Sequence, residues 1–280
     1  MAVKRERSIC LCLDDFGLHE GINEAALALR RDGRVHALSC LVTGAAWQSG
    51  ATSLRRDSAG PIDVGLHLDL TQRPLTSAPD SWAALWMRGS FDRLSASALR
   101  AEIDAQFDLF ERHLGRRPDF VDGHQHVHQF PQVRDALVDV LIQRYPYHRP
   151  WVRSTRAAGW RFKSLVIGRL GSRMLTTEAD LLAFPHNRRL LGVYDFAGGA
   201  GRYEALLSSW FRLAEQGDLL MCHASTRAIP GDPIAQARLD EYEVLSGGRF
   251  DGHARSHAIK LESMTRILDE ARFAATRSLR

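Results

Sequence analysis

The sequence predicts a single α/β domain built as an irregular (β/α) barrel, and two observations support this prediction. Short apolar runs typical of buried strands alternate with amphipathic helical patterns along the whole 280-residue chain, which gives six or seven βα units. No linker-like change of composition interrupts this alternation, so we expect one domain over residues 1–280. The pattern fits an open or irregular barrel as well as a closed eight-stranded one.

The first half of the chain contains the clearest elements. Strands are predicted over residues 8–14 (SICLCLD), 35–44 (VHALSCLVTG), 62–70 (IDVGLHLDL) and 119–128 (DFVDGHQHVH). Helices are predicted over 21–33, 95–115 and 131–145, the last with proline at its first position. Residues 71–96 are rich in turn formers and aromatic residues, and they predict a long loop or lid-like insertion.

The second half continues the alternation with weaker strands. Strands are predicted over residues 151–155 (WVRST), 181–185 (LLAFP) and 218–225 (DLLMCHAS). Helices are predicted over 202–216, around 233–245 and around 254–275. Strands and helices therefore alternate to the end of the chain, as a barrel requires.

Composition excludes several classes of protein. The hydrophobic fraction of 45% and the charged fraction of 25% are typical of globular proteins, and no apolar stretch is long enough to cross a membrane. The first residues do not form a secretory signal, so we expect a cytoplasmic location. The net charge is +4, but the basic residues are scattered, which argues against nucleic acid as a partner. Four cysteines in apolar contexts are predicted to be reduced and buried: Cys10, Cys12, Cys40 and Cys222.

Acidic and histidine side chains recur where the predicted strands end. They are Asp14, Asp15, His67, Asp122, His124, His126, His128 and His223. The carboxyl ends of parallel strands meet on one face of a barrel, so these residues are expected in one pocket. Carboxylates and imidazoles bind divalent metal ions, and an open coordination position would hold a reactive water. The combination predicts a metal-dependent active site.

Each of these residues also has a structural explanation. One aspartate could cap the helix that follows, and His67 or His223 could be a hydrogen-bonded core histidine. On an extended backbone the alternate histidines of 124–128 share one face at a spacing of about 6.6 Å, so one or at most two of them reach an ion. His124 is expected to lie innermost because it directly follows Gly123. Such residues occur at the ends of four predicted strands. One shared active site explains this pattern better than four separate structural roles.

Four segments resemble the signature motifs of the YdjC-like carbohydrate deacetylases, a family that includes chitooligosaccharide deacetylases and hopanoid-biosynthesis-associated members. They are LDDFGL (13–18), VGLHLDLT (64–71), DFVDGHQHVHQFP (119–131) and LLMCHAS (219–225), and the likeness extends from about residue 8 to about residue 246. The resemblance implies a barrel of the glycoside hydrolase/deacetylase type. It also implies one divalent ion, Mg²⁺ or Zn²⁺, held by an aspartate and two histidines, and hydrolysis of the acetamide of N-acetylated sugars.

Carried over to this sequence, the resemblance implies a role for each site residue. The metal ligands would be Asp15, His67 and His124, with Asp14 as the general base and His223 as the general acid. Arg153 and His126 are assigned to substrate binding, Arg153 at a position where the family tends to have an arginine that orients the site. The expected partner is an N-acetylated mono- or oligosaccharide, and a homodimer is the expected assembly. One departure is that CHAS lacks the proline or glycine that often follows the family's histidine.

Other functions fit parts of the pattern. A glycosidase would use paired carboxylates across the sugar, but the adjacent Asp14 and Asp15 should point in opposite directions, and the histidines would have no role. A metal-dependent phosphoesterase would share the ligands but usually needs a second metal and more carboxylates. A catalytically degenerate sugar-binding protein on the same barrel is the non-enzymatic alternative. Aromatic residues in the insertion and after the second strand fit either stacking on sugars or hydrophobic packing: Trp82, Trp86, Phe91 and Trp47.

Overall fold

The structure is a computed structural model that describes residues 5–76, 80–90, 93–157 and 173–278. Its strands are β1 (Arg7–Phe16), β2 (Ala37–Cys40), β3 (Asp63–Leu68), β4 (Phe120–Gly123), β5 (Trp151–Val152), β6 (Leu190–Leu191), β7 (Leu219–Cys222) and β8 (Ile259–Leu261). The described helices are α1 (Glu20–Arg31), α2 (Trp47–Arg56), α3 (Trp82–Ser90), α4 (Ala96–Leu114), α5 (Pro131–Arg144), α6 (Arg173–Leu181), α7 (Gly199–Leu213), α8 (Ala235–Ser246), α9 (Phe250–Ser256) and α10 (Met264–Ser278). No helix in these ranges is long and apolar enough to span a membrane.

The strands form one parallel sheet that curves into a barrel. Their order is β5-β4-β3-β2-β1-β7-β6, with β8 beside the first residues of β1. Two isolated parallel bridges lie between the two outer segments of the sheet: Val152 of β5 pairs with His186 before β6, and Ala157 after β5 pairs with Leu190 of β6. The helices surround this irregularly paired sheet, which confirms the predicted fold class. The bounds of the domain, 1–280, stay a prediction because both chain ends lie outside the described residues.

The inside of the barrel is apolar where the strands begin and polar where they end. Side chains two or four residues apart share a face of a strand, so β1 contributes Cys10 and then Asp14, and β4 contributes Phe120 and then Asp122. The other buried residues of this apolar floor are Cys12, Ala37, Trp151, Leu190, Leu219, Met221, Met264 and Ile267. All four cysteines are free and buried, as predicted. The apolar floor closes the barrel below its polar groups.

The histidine-rich segment after β4 is not a strand, and this prediction was wrong. β4 ends at Gly123, and His124–Gln129 form a 3₁₀ turn in which Gln125 and His126 have φ angles of 53° and 62°. Because β3 ends at Leu68, opposite Gly123, the backbone beyond this point has no strand to pair with among the described residues. The histidines of this segment therefore do not share one extended face.

Several other elements differ from the prediction. The residues after β2 form α2, whose buried Trp47, Ala51 and Leu54 repeat with helical spacing. Residues 181–185 are the end of α6 and a turn, and the paired strand is β6, beside β7. The insertion contains α3, and β8 interrupts the last predicted helix. Short strands such as β6 and β8 depend on distant partners, which a local sequence pattern does not show.

Gly65 in β3 should not tolerate a side chain. A methyl group there would lie 2.5 Å from the ring of Phe120, which stacks on Trp151 at 4.1 Å and is fully buried. We expect Gly65→Ala to lower the free energy of unfolding by about 1–3 kcal/mol, measured by urea denaturation. Gly60→Ala is the control, since its added methyl group meets nothing within 4 Å. Equal stability of the two variants would contradict this packing.

Candidate metal centre and active site

The strand ends surround one cavity of about 400 Å³ at the carboxyl end of the barrel. The predicted site residues that line it are Asp14, Asp15, His67, His124, His126 and His223. Its other lining includes the apolar and aromatic residues Trp82, Val193, Tyr194, Phe196, Met221, Pro233 and Ile234, and the polar residues Gln72, Gln125, Asp232 and Arg238. Residues from both halves of the chain therefore meet in one place, as the parallel topology requires.

β1 delivers both of its aspartates to this cavity through a local irregularity. The pairing of β1 with β2 shifts register between Leu13 and Phe16, and Asp15 has a φ angle of 67°, in the left-handed region that aspartate tolerates. The expectation that Asp14 and Asp15 point apart was wrong because this bulge breaks the alternation of a regular strand. Neither of them caps α1, since the cap is His19.

Asp15, His67 and His124 direct polar atoms towards one point. Oδ1 of Asp15 lies 3.4 Å from Nε2 of His67 and 3.2 Å from Nδ1 of His124. One ligand atom from each of the three residues lies within 4.8 Å of the others. Donors that are about 2.1 Å from a shared ion are themselves roughly 3–3.5 Å apart. The donor types and their spacing therefore fit one divalent ion.

His67 is held from behind by two polar side chains. Its Nδ1 lies 2.7 Å from Oδ1 of Asp122 and 2.7 Å from Oγ of Ser39, which also donates to Asp122 at 2.6 Å. Burial lowers the pKa of His67, and the carboxylates of Asp122, Asp15 and Asp14 together raise it by more, to about 10. This environment favours a positive charge at the ring, and a cation bound at Nε2 would take the place of a proton.

Arg153 lies behind Asp14 and outside the lining of the cavity. Its guanidinium, fully buried, contacts both oxygens of Asp14 at 2.6 Å and Oδ2 of Asp122 at 2.7 Å. Asp14, His67 and Asp122 form a second group with the spacing of metal ligands. The guanidinium of Arg153 already pairs with both of these carboxylates. It therefore supplies the positive charge that a metal ion would otherwise supply to this second group. Arg153 was assigned to substrate binding, and its guanidinium contacts these two carboxylates and Sγ of Cys12.

Arg238 on α8 is a site residue that the sequence analysis missed. It donates from Nη2 to Oδ2 of Asp15 at 2.7 Å, from Nε to Asp232 at 2.5 Å and from Nη1 to the carbonyl oxygen of His223 at 3.1 Å. Burial raises the pKa of Asp15, and Arg238 with His124 and His67 lowers it by more, to well below its usual range. The only clue in the sequence was that the likeness to the family continues to about residue 246, which includes Arg238.

His223 follows β7 and is fixed by Glu241 of α8. Its backbone N–H donates to Oε2 of the fully buried Glu241 at 2.5 Å, and its Nδ1 lies 3.9 Å from Oε1 of the same carboxylate. Burial lowers the pKa of His223, and Glu241 together with Asp14 and Asp15 raises it by more. The following CHAS residues also dock on α8, since the N–H of Ser225 donates to the carbonyl of Arg238 at 3.0 Å.

The other two histidines of the 3₁₀ turn have different surroundings. His126 lines the cavity, and its Nδ1 has no hydrogen-bond partner among the described residues. Burial, with the neighbouring His128, holds the pKa of His126 well below its usual range. His128 is fully buried, and its Nε2 donates to the carbonyl of Arg153 at 2.9 Å. His128 therefore supports the backbone of β5, whereas His126 is available to a ligand.

Of the candidate stacking residues that the structure describes, only Trp82 lines the cavity. Trp82 of α3 lines it, donates from Nε1 to the carbonyl of Gln125 at 3.1 Å and packs edge-on against Phe130. Trp47 is 2% exposed and stacks on Phe110 of α4, so it belongs to the core. Phe91 lies outside the described residues. The insertion therefore contributes an aromatic side chain, Trp82, to the wall of the cavity.

The chain is similar to several known proteins. Residues 8–255 match the family described as YdjC-like protein. A chitooligosaccharide deacetylase from Escherichia fergusonii is 34% identical over 137 residues, which are 46% of this chain and 53% of that protein. The alignment thus spans about half the length of that relative.

Two solved structures are similar in fold. A protein from Enterococcus faecalis V583, provisionally named as a cellobiose-phosphate cleavage protein, has a TM-score of 0.66 at 18% identity, covering 94% of this chain and 100% of its own. The Bc1960 peptidoglycan N-acetylglucosamine deacetylase has a TM-score of 0.55 at 10% identity, covering 95% of this chain and 89% of its own. At these identities the likeness shows the fold alone.

Loss of the Arg153 guanidinium should destabilise the protein strongly. Arg153→Met leaves two buried carboxylates without their shared cation, so we expect the free energy of unfolding to fall by about 3–5 kcal/mol. Arg202→Met is the matched control, because Arg202 also contacts both oxygens of one aspartate, Asp195, but on the exposed surface. Its loss should cost less than about 1 kcal/mol. Equal urea midpoints for the two variants would refute the role of the buried ion pair.

Proposed function

The chain belongs to the YdjC-like protein family, and we propose that it is a metal-dependent carbohydrate deacetylase, a hydrolase that removes the acetyl group from an N-acetylated sugar. The observation that carries this proposal is the convergence of Asp15, His67 and His124 in a cavity that Asp14 and His223 also line. Cleavage of an acetamide needs an activated water, a base that takes its proton and an acid that protonates the departing amine. The cavity contains groups suited to each task.

Asp15, His67 and His124 would hold the metal ion. When bound, a divalent ion would polarise the acetyl carbonyl and lower the pKa of the attacking water. Two imidazole nitrogens and one carboxylate oxygen suit Zn²⁺ better than Mg²⁺, which prefers oxygen ligands. Asp15 would bind through Oδ1, because Arg238 holds Oδ2 at 2.7 Å.

Asp14 would take the proton from the attacking water. Arg153 donates to each of its carboxylate oxygens at 2.6 Å, which sets the plane of the carboxylate. A carboxylate has about four lone-pair sites, so Asp14 keeps acceptor capacity on the side that lines the cavity. Arg153 acts in this proposal as a positioning residue, because its buried guanidinium touches the base and not the substrate.

His223 would protonate the sugar nitrogen as the C–N bond breaks. The amine is a poor leaving group unless it departs neutral, so a proton must reach it in that step. Glu241 raises the pKa of His223 against the effect of burial, which favours the protonated ring that a general acid needs. The hydrogen bond from the backbone N–H of His223 to Glu241, at 2.5 Å, also holds His223 in the cavity wall.

The lining of the cavity suits a neutral sugar. Trp82 offers an aromatic face, and the unpartnered Nδ1 of His126 would hydrogen-bond a hydroxyl or the acetamide. Among the described lining residues the only arginine or lysine is Arg238, which Asp15 and Asp232 already engage. An anionic group would therefore find no free cation there. The proposed substrate is an N-acetylated mono- or oligosaccharide.

The alternative hydrolases fit this geometry less well. A two-metal phosphoesterase needs a second ion, but the second carboxylate group already pairs with Arg153. The mechanism of a glycosidase would not use the three convergent donors Asp15, His67 and His124. A sugar-binding protein that has lost catalysis would keep the same cavity, so only an activity measurement separates it from a deacetylase.

Asp14→Asn and His223→Gln should each lower acetate release from N-acetylchitooligosaccharides by about 10²–10⁴-fold, because each removes one proton-transfer group. Both variants should still bind the metal. His124→Ala should lose metal and acetate release together, as should the wild type treated with a chelator. Acetate is measured by a coupled assay, and metal content by elemental analysis.

The control for these variants is His148→Gln, an exposed histidine outside the cavity lining, which should retain full activity. Wild-type rates in Asp14→Asn would overturn the assignment of the base. Bound metal with no acetate from any N-acetylated sugar would favour the sugar-binding alternative. Release of phosphate from a phosphomonoester would favour the phosphoesterase.

A further inference from the structure

The ring of His124 has a different partner at each nitrogen. Nδ1 lies 3.2 Å from Oδ1 of Asp15, whereas Nε2 lies 3.0 Å from the side-chain amide nitrogen of Gln72. An imidazole that binds a metal through one nitrogen carries its proton on the other, and that N–H usually donates to a neighbouring acceptor. Gln72 is therefore placed where the outer partner of a metal-binding His124 would stand.

The ring of His67 has the opposite orientation, with Nε2 rather than Nδ1 towards Asp15. Its Nδ1 lies 2.7 Å from Asp122, and its Nε2 faces Oδ1 of Asp15 at 3.4 Å. The two rings stand edge to face, with centroids 5.5 Å apart. Each imidazole thus has one nitrogen near Asp15 and the other near a second polar side chain. The nitrogen near Asp15 is Nδ1 in His124 and Nε2 in His67.

The backbone of Gln72 is firmly anchored although its side chain is exposed. The buried carboxylate of Asp69 accepts the N–H groups of Thr71 and Gln72 at 2.9 Å and of Arg73 at 2.8 Å. Asp69 itself is fixed by Gln106 of α4, which bonds its backbone N–H at 3.0 Å and its carbonyl at 2.6 Å. The backbone of this first turn of the insertion is therefore hydrogen-bonded to Asp69, which Gln106 of α4 connects to the core.

We propose that Gln72 is a positioning residue that makes His124 bind the metal through Nδ1, while His67 binds through Nε2. This inference rests on the metal site of the proposed function. An amide carries both a donor and an acceptor, so Gln72 can present its oxygen to the Nε2–H of the metal-binding ring. The insertion then completes the metal centre as well as covering the cavity.

Metal affinity tests this role. In Gln72→Leu the Nε2–H of His124 loses its acceptor, and we expect the affinity for Zn²⁺, measured by competition with a chromophoric chelator, to weaken about 10–100-fold. Gln72→Glu restores an acceptor and should bind Zn²⁺ at least as tightly as the wild type. Arg73→Leu is the control, since Arg73 is the exposed neighbour and does not line the cavity. Unchanged affinity in Gln72→Leu would overturn the proposal.

The protonated nitrogens supply a second readout. In the Zn²⁺-loaded protein labelled with ¹⁵N-histidine, long-range ¹H–¹⁵N spectra should show His124 protonated at Nε2 and His67 at Nδ1. The two rings are assigned by the shifts that Gln72→Glu and Ser39→Ala cause at their respective neighbours. The same protonated nitrogen in both rings would refute the inference.

The two proposals can fail separately. If acetate is released and metal affinity is insensitive to Gln72→Leu, the positioning role fails and the deacetylase stands. If the metal is bound with the expected pair of protonated nitrogens but no acetate is released, the deacetylase fails and the positioning role stands.

Discussion

The polar half of the barrel depends on one buried ion pair, in which Arg153 is shared between Asp14 and Asp122. All three side chains are at most 3% exposed, and the guanidinium lies 2.6 Å and 2.7 Å from the two carboxylates. Two carboxylates buried this close would repel each other and lose their hydration, at a cost of several kcal/mol each. The planar fork of arginine contacts both at once. Since the three residues follow or belong to β1, β4 and β5, this pair also connects strands across the barrel interior.

Each candidate metal ligand has a supporting residue from another part of the chain. Asp122 on the neighbouring strand holds His67, Arg238 on α8 holds Asp15, and Gln72 in the insertion contacts His124. Such outer contacts orient metal ligands and restrict their rotamers. Residues of α8 and of the insertion therefore contact the candidate ligands directly, in addition to those of the strands.

The charges around the cavity are unevenly balanced. The two guanidiniums, of Arg153 and Arg238, are both paired, yet the carboxylates in contact with them outnumber them: Asp14, Asp15, Asp122 and Asp232. A buried excess of negative charge is unfavourable unless a cation or protons offset it. A divalent ion among Asp15, His67 and His124 would offset it, which agrees with the donor geometry.

The barrel and the residues at its carboxyl end could be predicted from the sequence, because strand periodicity and the alternation of strands and helices are local patterns. Asp14, His67 and His223 were found in this way, whereas the cytoplasmic location and the homodimer stay predictions. The bulge that turns Asp15 into the cavity, and the contact of Arg238 with Asp15 from α8, became visible in the folded structure alone. These features depend on which distant segments pack side by side. A bulge is set by the neighbouring strand, and a buried arginine by the carboxylates it must neutralise.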